Sequence, residues 1–150
     1  MDINQIDVDC KVIIIIGLPG SGKTTISNKF TDYLIFDDFL NKFYDGKVLE
    51  AMQLNKKICL IDPRLCIYEI FNKYMDIIKT NINKNDIHLI LFRNEPEKCI
   101  ANVTIRNDDR NGIIETINKY SVKYSLDNYA DYSSHITILH VWTLISNQPE

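Results

Sequence analysis

Short apolar segments rich in β-branched residues alternate along this chain with longer segments of helical periodicity. Strands are predicted at residues 11–16, 33–36, 57–61, 86–92 and 135–141, and the first is apolar at every position from Val12 to Ile16. A strand without polar positions is typical of a central parallel strand that is buried on both faces. The alternation of strands with helices predicts βαβ units around a parallel sheet.

Helical segments are predicted between these strands, at residues 24–31, 47–56, 63–81 and 113–124 and from Pro96 onward. The clearest is 63–81, where the apolar positions fall on one helical face and Pro63 suits the first turn. Residues 37–46 are mixed aromatic and charged and give no firm prediction. We expect a single domain over residues 1–150, with a central parallel five-stranded sheet and helices on both faces.

Composition narrows the class of protein. The 150 residues are 45% hydrophobic and 25% charged, which is ordinary for a globular domain. The net charge of -3 argues against a partner as large as a long nucleic acid, because no strong positive field exists to attract one. The four cysteines lack metal-ligand spacing and are predicted to be reduced core thiols. The longest purely apolar run is far shorter than the roughly 20 residues of a membrane helix, so we expect a cytoplasmic protein.

A glycine-rich string follows the first strand directly. Residues 17–24 read GLPGSGKT, a full match to GxxxxGK[ST] between a strand and a helix start. Glycines let backbone N–H groups turn inward around a phosphate, and the helix start adds the positive end of its dipole. Lys23 is predicted to reach the β- and γ-phosphates of ATP, and the Thr24 hydroxyl to bind Mg²⁺. The residues predicted to contact the nucleotide are Gly17, Pro19, Gly20, Ser21, Gly22, Lys23, Thr24 and Thr25.

Carboxylates follow two further predicted strands at the point where each strand ends. Asp37 and Asp38 come after residues 34–36, and Asp62 comes after residues 59–61. In an open α/β sheet the ligand lies beyond the carboxyl ends of the strands. One carboxylate near the γ-phosphate can accept the proton of an incoming hydroxyl and a second can bind Mg²⁺, and Asp37 and Asp62 are the candidates for these roles. The alternatives are a turn at residues 37–38 and an N-cap at Asp62.

With these residues in place, the chain resembles P-loop kinases of the nucleoside, nucleotide and polynucleotide kinase type. The resemblance spans about residues 11 to 145 and depends most on the 17–24 loop. It implies a three-layer P-loop NTPase fold, with the family's hydroxyl-activating aspartate at Asp37 and its second acid at Asp62. Polynucleotide kinases often carry an arginine three residues after the first aspartate, where this chain has Leu40.

The arginines of the chain all lie between residues 64 and 110. The kinase family places a mobile lid that clamps the transferring phosphoryl group at the position of residues 105–112. Arg106 and Arg110 stand four residues apart in this segment and suit bidentate phosphate contacts, so both are predicted to be catalytic. The alternative is that Asp108 and Asp109 neutralise both arginines on a solvated turn.

The predicted function is ATP- and Mg²⁺-dependent transfer of the γ-phosphoryl group to a nucleoside or nucleotide. The charge balance favours a small acceptor that bears a hydroxyl or a phosphate, and Arg64 and Arg93 are candidate contacts to such a phosphate. Short 5′-hydroxyl ends of a polynucleotide are an alternative acceptor. A nucleotide-binding switch that hydrolyses to water is an alternative of another class. Its guanine-reading string NKxD occurs at residues 83–86, but it precedes the fourth strand instead of following it.

Overall fold

Five parallel strands form a single sheet in the computed structural model, which describes residues 9–133 and 135–144. In chain order the strands are β1 (Val12–Ile16), β2 (Leu34–Asp37), β3 (Ile58–Ile61), β4 (Ile87–Phe92) and β5 (His135–Leu139). Their order in the sheet is β2-β3-β1-β4-β5, so β1 lies at the centre. The predicted parallel sheet and all five predicted strands are confirmed.

Helices connect consecutive strands and cover both faces of the sheet. They are α1 (Lys23–Ser27), α2 (Phe39–Tyr44), α3 (Lys47–Gln53), α4 (Tyr68–Lys79), α5 (Pro96–Ile105) and α6 (Ile113–Lys123). Helices α2 to α6 pack on the face that carries Ile14, and α1 packs through Ile26 on the face that carries Ile13 and Ile15. The result is a three-layer α/β arrangement in which every residue of β1 is at most 1% exposed. Each buried isoleucine stabilises the fold by about 1.5–3 kcal/mol.

The strand register brings the predicted site to one edge of the sheet. Residue Ile15 of β1 pairs with Ile61 of β3, and Ile61 in turn pairs with Asp37 of β2. Because the strands are parallel, the segments that follow β1, β2 and β3 all emerge at this carboxyl edge. The 17–24 loop, Asp37 and Asp62 therefore begin from neighbouring positions.

The helices of the structure depart from the sequence pattern in several places. Helix α1 ends at Ser27 rather than at residue 31, and the region 63–81 is divided in two. A 3-10 turn spans Pro63–Cys66, and α4 starts only at Tyr68 because Ile67 adopts an extended conformation, with φ of -89° and ψ of 112°. Residues 37–46, for which the pattern gave no prediction, contain α2.

The cysteines are free and buried, as predicted: Cys10, Cys59, Cys66 and Cys99. Burial raises the pKa of the Cys59 and Cys66 thiols to about 12, so both stay protonated near neutral pH. Among the residues that the structure describes, no helix has both the length and the apolar character to cross a membrane.

Candidate active site

The glycine-rich loop, residues 17–24, joins β1 to α1 and turns on two glycines with positive φ. Gly20 has a φ of 84° and Gly22 a φ of 108°, a region that residues with a Cβ rarely adopt. The Ser21 N–H donates to the Leu18 carbonyl at 3.1 Å and closes the turn. Because α1 begins at Lys23, the N–H groups of its first turn have no acceptor within the helix. Such groups can donate to an anion.

Close packing is a second reason why glycine is required at both of these positions. A Cβ on Gly20 would lie 2.7 Å from the carbonyl oxygen of Cys99 in α5. A Cβ on Gly22 would lie 2.7 Å from the Cβ of Trp142, which follows β5. The loop is thus in direct contact with α5 on one side and with the segment after β5 on the other.

The Lys23 side chain is buried beneath the loop, with only 9% of the residue exposed. Its Nζ donates to the carbonyls of Gly17 and Leu18, both at 2.8 Å, and lies 3.4 Å from Ser21 Oγ. Burial lowers the pKa of Lys23 to about 8, against the opposing effect of nearby acidic groups that include Asp37. Lys23 is therefore a desolvated cation that an added negative charge would stabilise.

An open cleft of about 150 Å³ lies in front of the loop at the carboxyl edge of the sheet. Its walls combine three basic side chains with one acidic side chain, which suits an anionic ligand. The lining residues are Pro19, Gly20, Gly22, Lys23, Thr24, Thr25, Asp37, Ile61, Pro63, Arg106 and Arg110. The structure thus brings together all the residues predicted as nucleotide-binding or catalytic except Gly17 and Ser21, which lie deeper in the loop.

Asp37 and its neighbour Asp38 have different surroundings. Asp37 ends β2, lines the cleft and accepts the Asp38 N–H through Oδ1 at 2.9 Å. Asp38 has a positive φ of 57°, and its carboxylate accepts from the Arg64 guanidinium at 3.0 Å and from the Asn41 amide at 2.6 Å. Of the two consecutive carboxylates, Asp37 is the one on the cleft.

Asp62, predicted as a metal ligand, is fully buried and accepts four hydrogen bonds. Oδ1 accepts from the backbone N–H and the Nε–H of Arg64, both at 2.9 Å. Oδ2 accepts from Arg64 Nη2 at 2.8 Å and from the Leu40 N–H at 3.2 Å. Asp62 does not line the cleft, and its bond to the Arg64 N–H is the capping role weighed as the alternative. Its part in metal binding stays a prediction.

Arg106 and Arg110 reach the cleft from the segment that ends α5 and share one carboxylate. Asp108 accepts from Arg106 at 2.9 Å and from Arg110 at 2.6 Å, and it also accepts the Arg110 backbone N–H at 3.1 Å. These hydrogen bonds, the Arg110 side chain first, hold the pKa of Asp108 well below its ordinary range. Asp108 thus pairs with both arginines, as in the alternative given in the sequence analysis. Both arginines nevertheless line the cleft.

The other arginines lie away from the cleft lining. Arg64 is held by Asp38 and Asp62, as described above. Arg93 follows β4, is exposed, and donates its backbone N–H to the Leu139 carbonyl at 2.8 Å.

The oxygen donors of the cleft suit Mg²⁺ carried by a phosphate ligand. Mg²⁺ takes few protein oxygens and usually keeps several waters and substrate phosphates. Thr24, Thr25 and Asp37, whose side chains carry oxygen atoms, are among the lining residues. In residues 9–133 and 135–144, no group of three or more His, Cys, Asp or Glu side chains is placed to hold a metal by itself.

Asn102 contacts the loop and was missed by the sequence argument. It lies on the buried face of α5, is 3% exposed, and donates from Nδ2 to the Gly20 carbonyl at 2.8 Å. The sequence signal for this contact is its position: Asn102 lies three residues after Cys99 and directly before Val103, and both of these neighbours are buried apolar residues. A lone asparagine on an apolar helix face is a sign of a buried polar contact, because an unpaired amide is costly there.

Comparison with known proteins identifies a viral relative. "Uncharacterized protein R277" of Acanthamoeba polyphaga mimivirus is 42% identical over 133 residues, which cover 86% of this chain and 96% of the viral protein. At this identity and coverage, the chain belongs to the same family as this mimivirus protein. No family model matches the chain.

Proposed function

We propose that this chain is a P-loop kinase that transfers the γ-phosphoryl group of ATP, with Mg²⁺, to a nucleoside or nucleotide acceptor. The observation that supports this best is the common cleft of Lys23, Thr24, Asp37, Arg106 and Arg110. Phosphoryl transfer requires cations around the phosphates and a carboxylate beside the attacking hydroxyl. Three separate segments of the chain supply these groups to one cleft.

In this mechanism the loop N–H groups and Lys23 bind the β- and γ-phosphates, and Mg²⁺ when bound offsets their remaining charge. Asp37 accepts the proton of the acceptor hydroxyl as the oxygen bonds to the γ-phosphorus. The bond from that phosphorus to the bridging oxygen breaks, and ADP leaves with the electron pair. Arg106 and Arg110 contact the transferring phosphoryl group. Asp37 Oδ1 accepts the Asp38 N–H, which orients the carboxylate.

The geometry does not favour the nucleotide-binding switch. The NKxD string includes the 3-10 turn Lys84–Asp86, immediately before β4. Val12 pairs with Ile87 and Ile16 with Leu91, so the string lies at the amino edge of the sheet whereas the loop leaves its carboxyl edge. The length of a five-residue strand, roughly 16 Å, separates the two. The NKxD string is therefore not placed to contact the guanine base of a nucleotide whose phosphates bind the loop.

Acceptor dependence of ADP release tests the proposal. The purified chain is incubated with ATP or GTP and Mg²⁺, alone and with nucleosides, nucleoside monophosphates or 5′-hydroxyl oligonucleotides. We expect ADP release that requires one of the small acceptors. Release that requires the oligonucleotide would reassign the acceptor, and slow GTP turnover without any acceptor would favour the switch. If the chain shows no turnover and ATP also gives no thermal stabilisation, the proposal is refuted.

The lowered pKa of Lys23 predicts a pH dependence of ATP binding. A phosphate beside Nζ favours the ammonium, so binding returns the Lys23 pKa from about 8 toward its ordinary value of 10.5. Between these values the complex holds one more proton than the free protein. ATP affinity is therefore expected to be flat below about pH 8 and to fall by up to about tenfold per pH unit above it. Calorimetric titration across pH 7–10 measures this slope, which should disappear in Lys23→Met.

A further inference from the structure

Asn102 uses both the donor and the acceptor of its amide on two segments, the glycine-rich loop and the segment after β5. Nδ2 donates to the Gly20 carbonyl at 2.8 Å and to the Trp142 carbonyl, and Oδ1 accepts the Leu144 N–H at 3.1 Å. Trp142 and Leu144 follow β5, and Gly20 is in the glycine-rich loop. A single buried side chain on α5 therefore ties the loop to the segment after β5.

The segment that Asn102 holds also orients one peptide of the loop. The Trp142 N–H donates to the Ser21 carbonyl at 3.0 Å, next to the Gly20 carbonyl that Asn102 binds. In a planar trans peptide the C=O and N–H groups point in opposite directions. When the Ser21 carbonyl points at Trp142, the N–H of Gly22 points to the other side, and Gly22 lines the cleft. The hydrogen bond from Trp142 thus turns the Gly22 N–H toward the cleft.

The same residue is joined to the arginine segment. The Asn102 backbone carbonyl accepts the N–H of Arg106, the residue directly after α5, at 3.2 Å. The contact between helix and loop is tight, since a Cβ on Gly20 would lie 2.7 Å from the Cys99 carbonyl. Asn102 therefore connects the glycine-rich loop at its side chain with Arg106 at its main chain.

We infer that Asn102 is a positioning residue that holds the loop donors and Arg106 at a fixed distance, so that both contact the same polyphosphate. This inference rests on the proposed function, because it presumes that phosphates bind the loop. Asn102 touches no phosphate in this arrangement. It acts through Gly20 and through the end of α5.

Asn102→Asp tests the inference, because aspartate keeps the shape of the side chain and removes both N–H donors. Asn94→Asp is the control: Asn94 Nδ2 also donates to two backbone carbonyls, those of Ser121 at 2.8 Å and Tyr124 at 3.1 Å, outside the cleft lining. Binding of ATP and of inorganic triphosphate is measured by calorimetry, and thermal midpoints report stability. We expect both variants to lose stability and only Asn102→Asp to lose affinity, on the order of tenfold to a hundredfold for both ligands.

Each outcome decides the question. Asn102→Asp with affinity within about twofold of wild type, or a loss equal to that of Asn94→Asp, would overturn the inference alone. If the wild type binds neither ATP nor triphosphate, the proposed function fails and the inference with it. Asn102→Ala is measured in the same way, since it removes the donors without adding a charge that would itself repel a polyphosphate, and unchanged affinity in Asn102→Ala would also overturn the inference.

Discussion

Replacement of Lys23 by methionine is expected to lower the rate of phosphoryl transfer on the order of 10²- to 10³-fold, about 3–4 kcal/mol of transition-state stabilisation. Methionine retains the apolar volume of the lysine stem, so the main loss is the cation that the proposed mechanism places at the β- and γ-phosphates. The carbonyls of Gly17 and Leu18 also lose the donor at 2.8 Å, which adds a cost in stability. Single-turnover transfer from labelled ATP at saturating acceptor measures the rate.

Lys29→Met is the matched control, because Lys29 lies just after the same helix, is exposed, and does not line the cleft. It is expected to leave the rate unchanged. Thermal midpoints of both variants separate the loss of stability from the loss of rate. Near-normal turnover in folded Lys23→Met would remove the loop lysine from the mechanism.

Asp37→Asn is expected to lower the transfer rate on the order of 10²- to 10⁴-fold while ATP affinity stays within about threefold of wild type. The asparagine Oδ1 can still accept the Asp38 N–H that Asp37 accepts at 2.9 Å, so the end of β2 keeps its geometry. What the amide lacks is the basicity needed to take the proton of the acceptor. Calorimetry with ATP and single-turnover transfer distinguish the two effects.

Asp38→Asn serves as its control, since Asp38 is the adjacent carboxylate and lies outside the cleft lining. It is expected to weaken the ion pair with Arg64, for which N and O are 3.0 Å apart, with little effect on the rate. If Asp37→Asn instead lowers ATP affinity as much as it lowers the rate, Asp37 binds the metal or supports the fold. The assignment as proton acceptor would then be wrong.

The strands were predictable from sequence because the core that selects them is encoded locally. Each residue of β1 is apolar and β-branched, and a strand buried on both faces leaves no polar position to confuse the pattern. The ends of the helices were harder to predict from the sequence. The break at Ile67 follows a 3-10 turn that Asp62 caps, and hydrophobic periodicity does not detect an extended residue inside an apolar helical pattern.

The short helix α2 shows another limit of sequence reasoning. It starts after Asp38, which has a left-handed backbone conformation and makes no side-chain cap to the helix. Aspartate is a favoured N-cap residue, but the Asp38 side chain does not cap this helix, so the residue type alone does not mark where the helix starts. The helix is instead fixed by tertiary contacts, such as the Leu40 N–H that donates to the buried Asp62 at 3.2 Å.

The candidate site likewise contains residues that the sequence predicts and residues that it does not. The 17–24 string and Asp37 were found because loop and strand-end residues are read directly from neighbouring sequence. Asn102 was not, because its partners, Gly20 and Trp142, are 82 and 40 residues away in sequence. Only the docking of α5 against the loop creates that contact. The pairing of Asp62 with Arg64 was likewise beyond prediction, because the same aspartate is compatible with capping and with metal binding.

The sharing of Asp108 between two guanidinium groups has a kinetic consequence. Arg106, Arg110 and Asp108 together present one positive charge instead of two, and Lys23 and Asp37 cancel each other, so the cleft carries a net charge of about +1. A nucleotide diffusing from bulk solvent is therefore drawn in only weakly, and its association rate should depend little on ionic strength. For the proposed kinase, discrimination for polyphosphates would then arise after encounter, in a slower dissociation rate, rather than from faster capture.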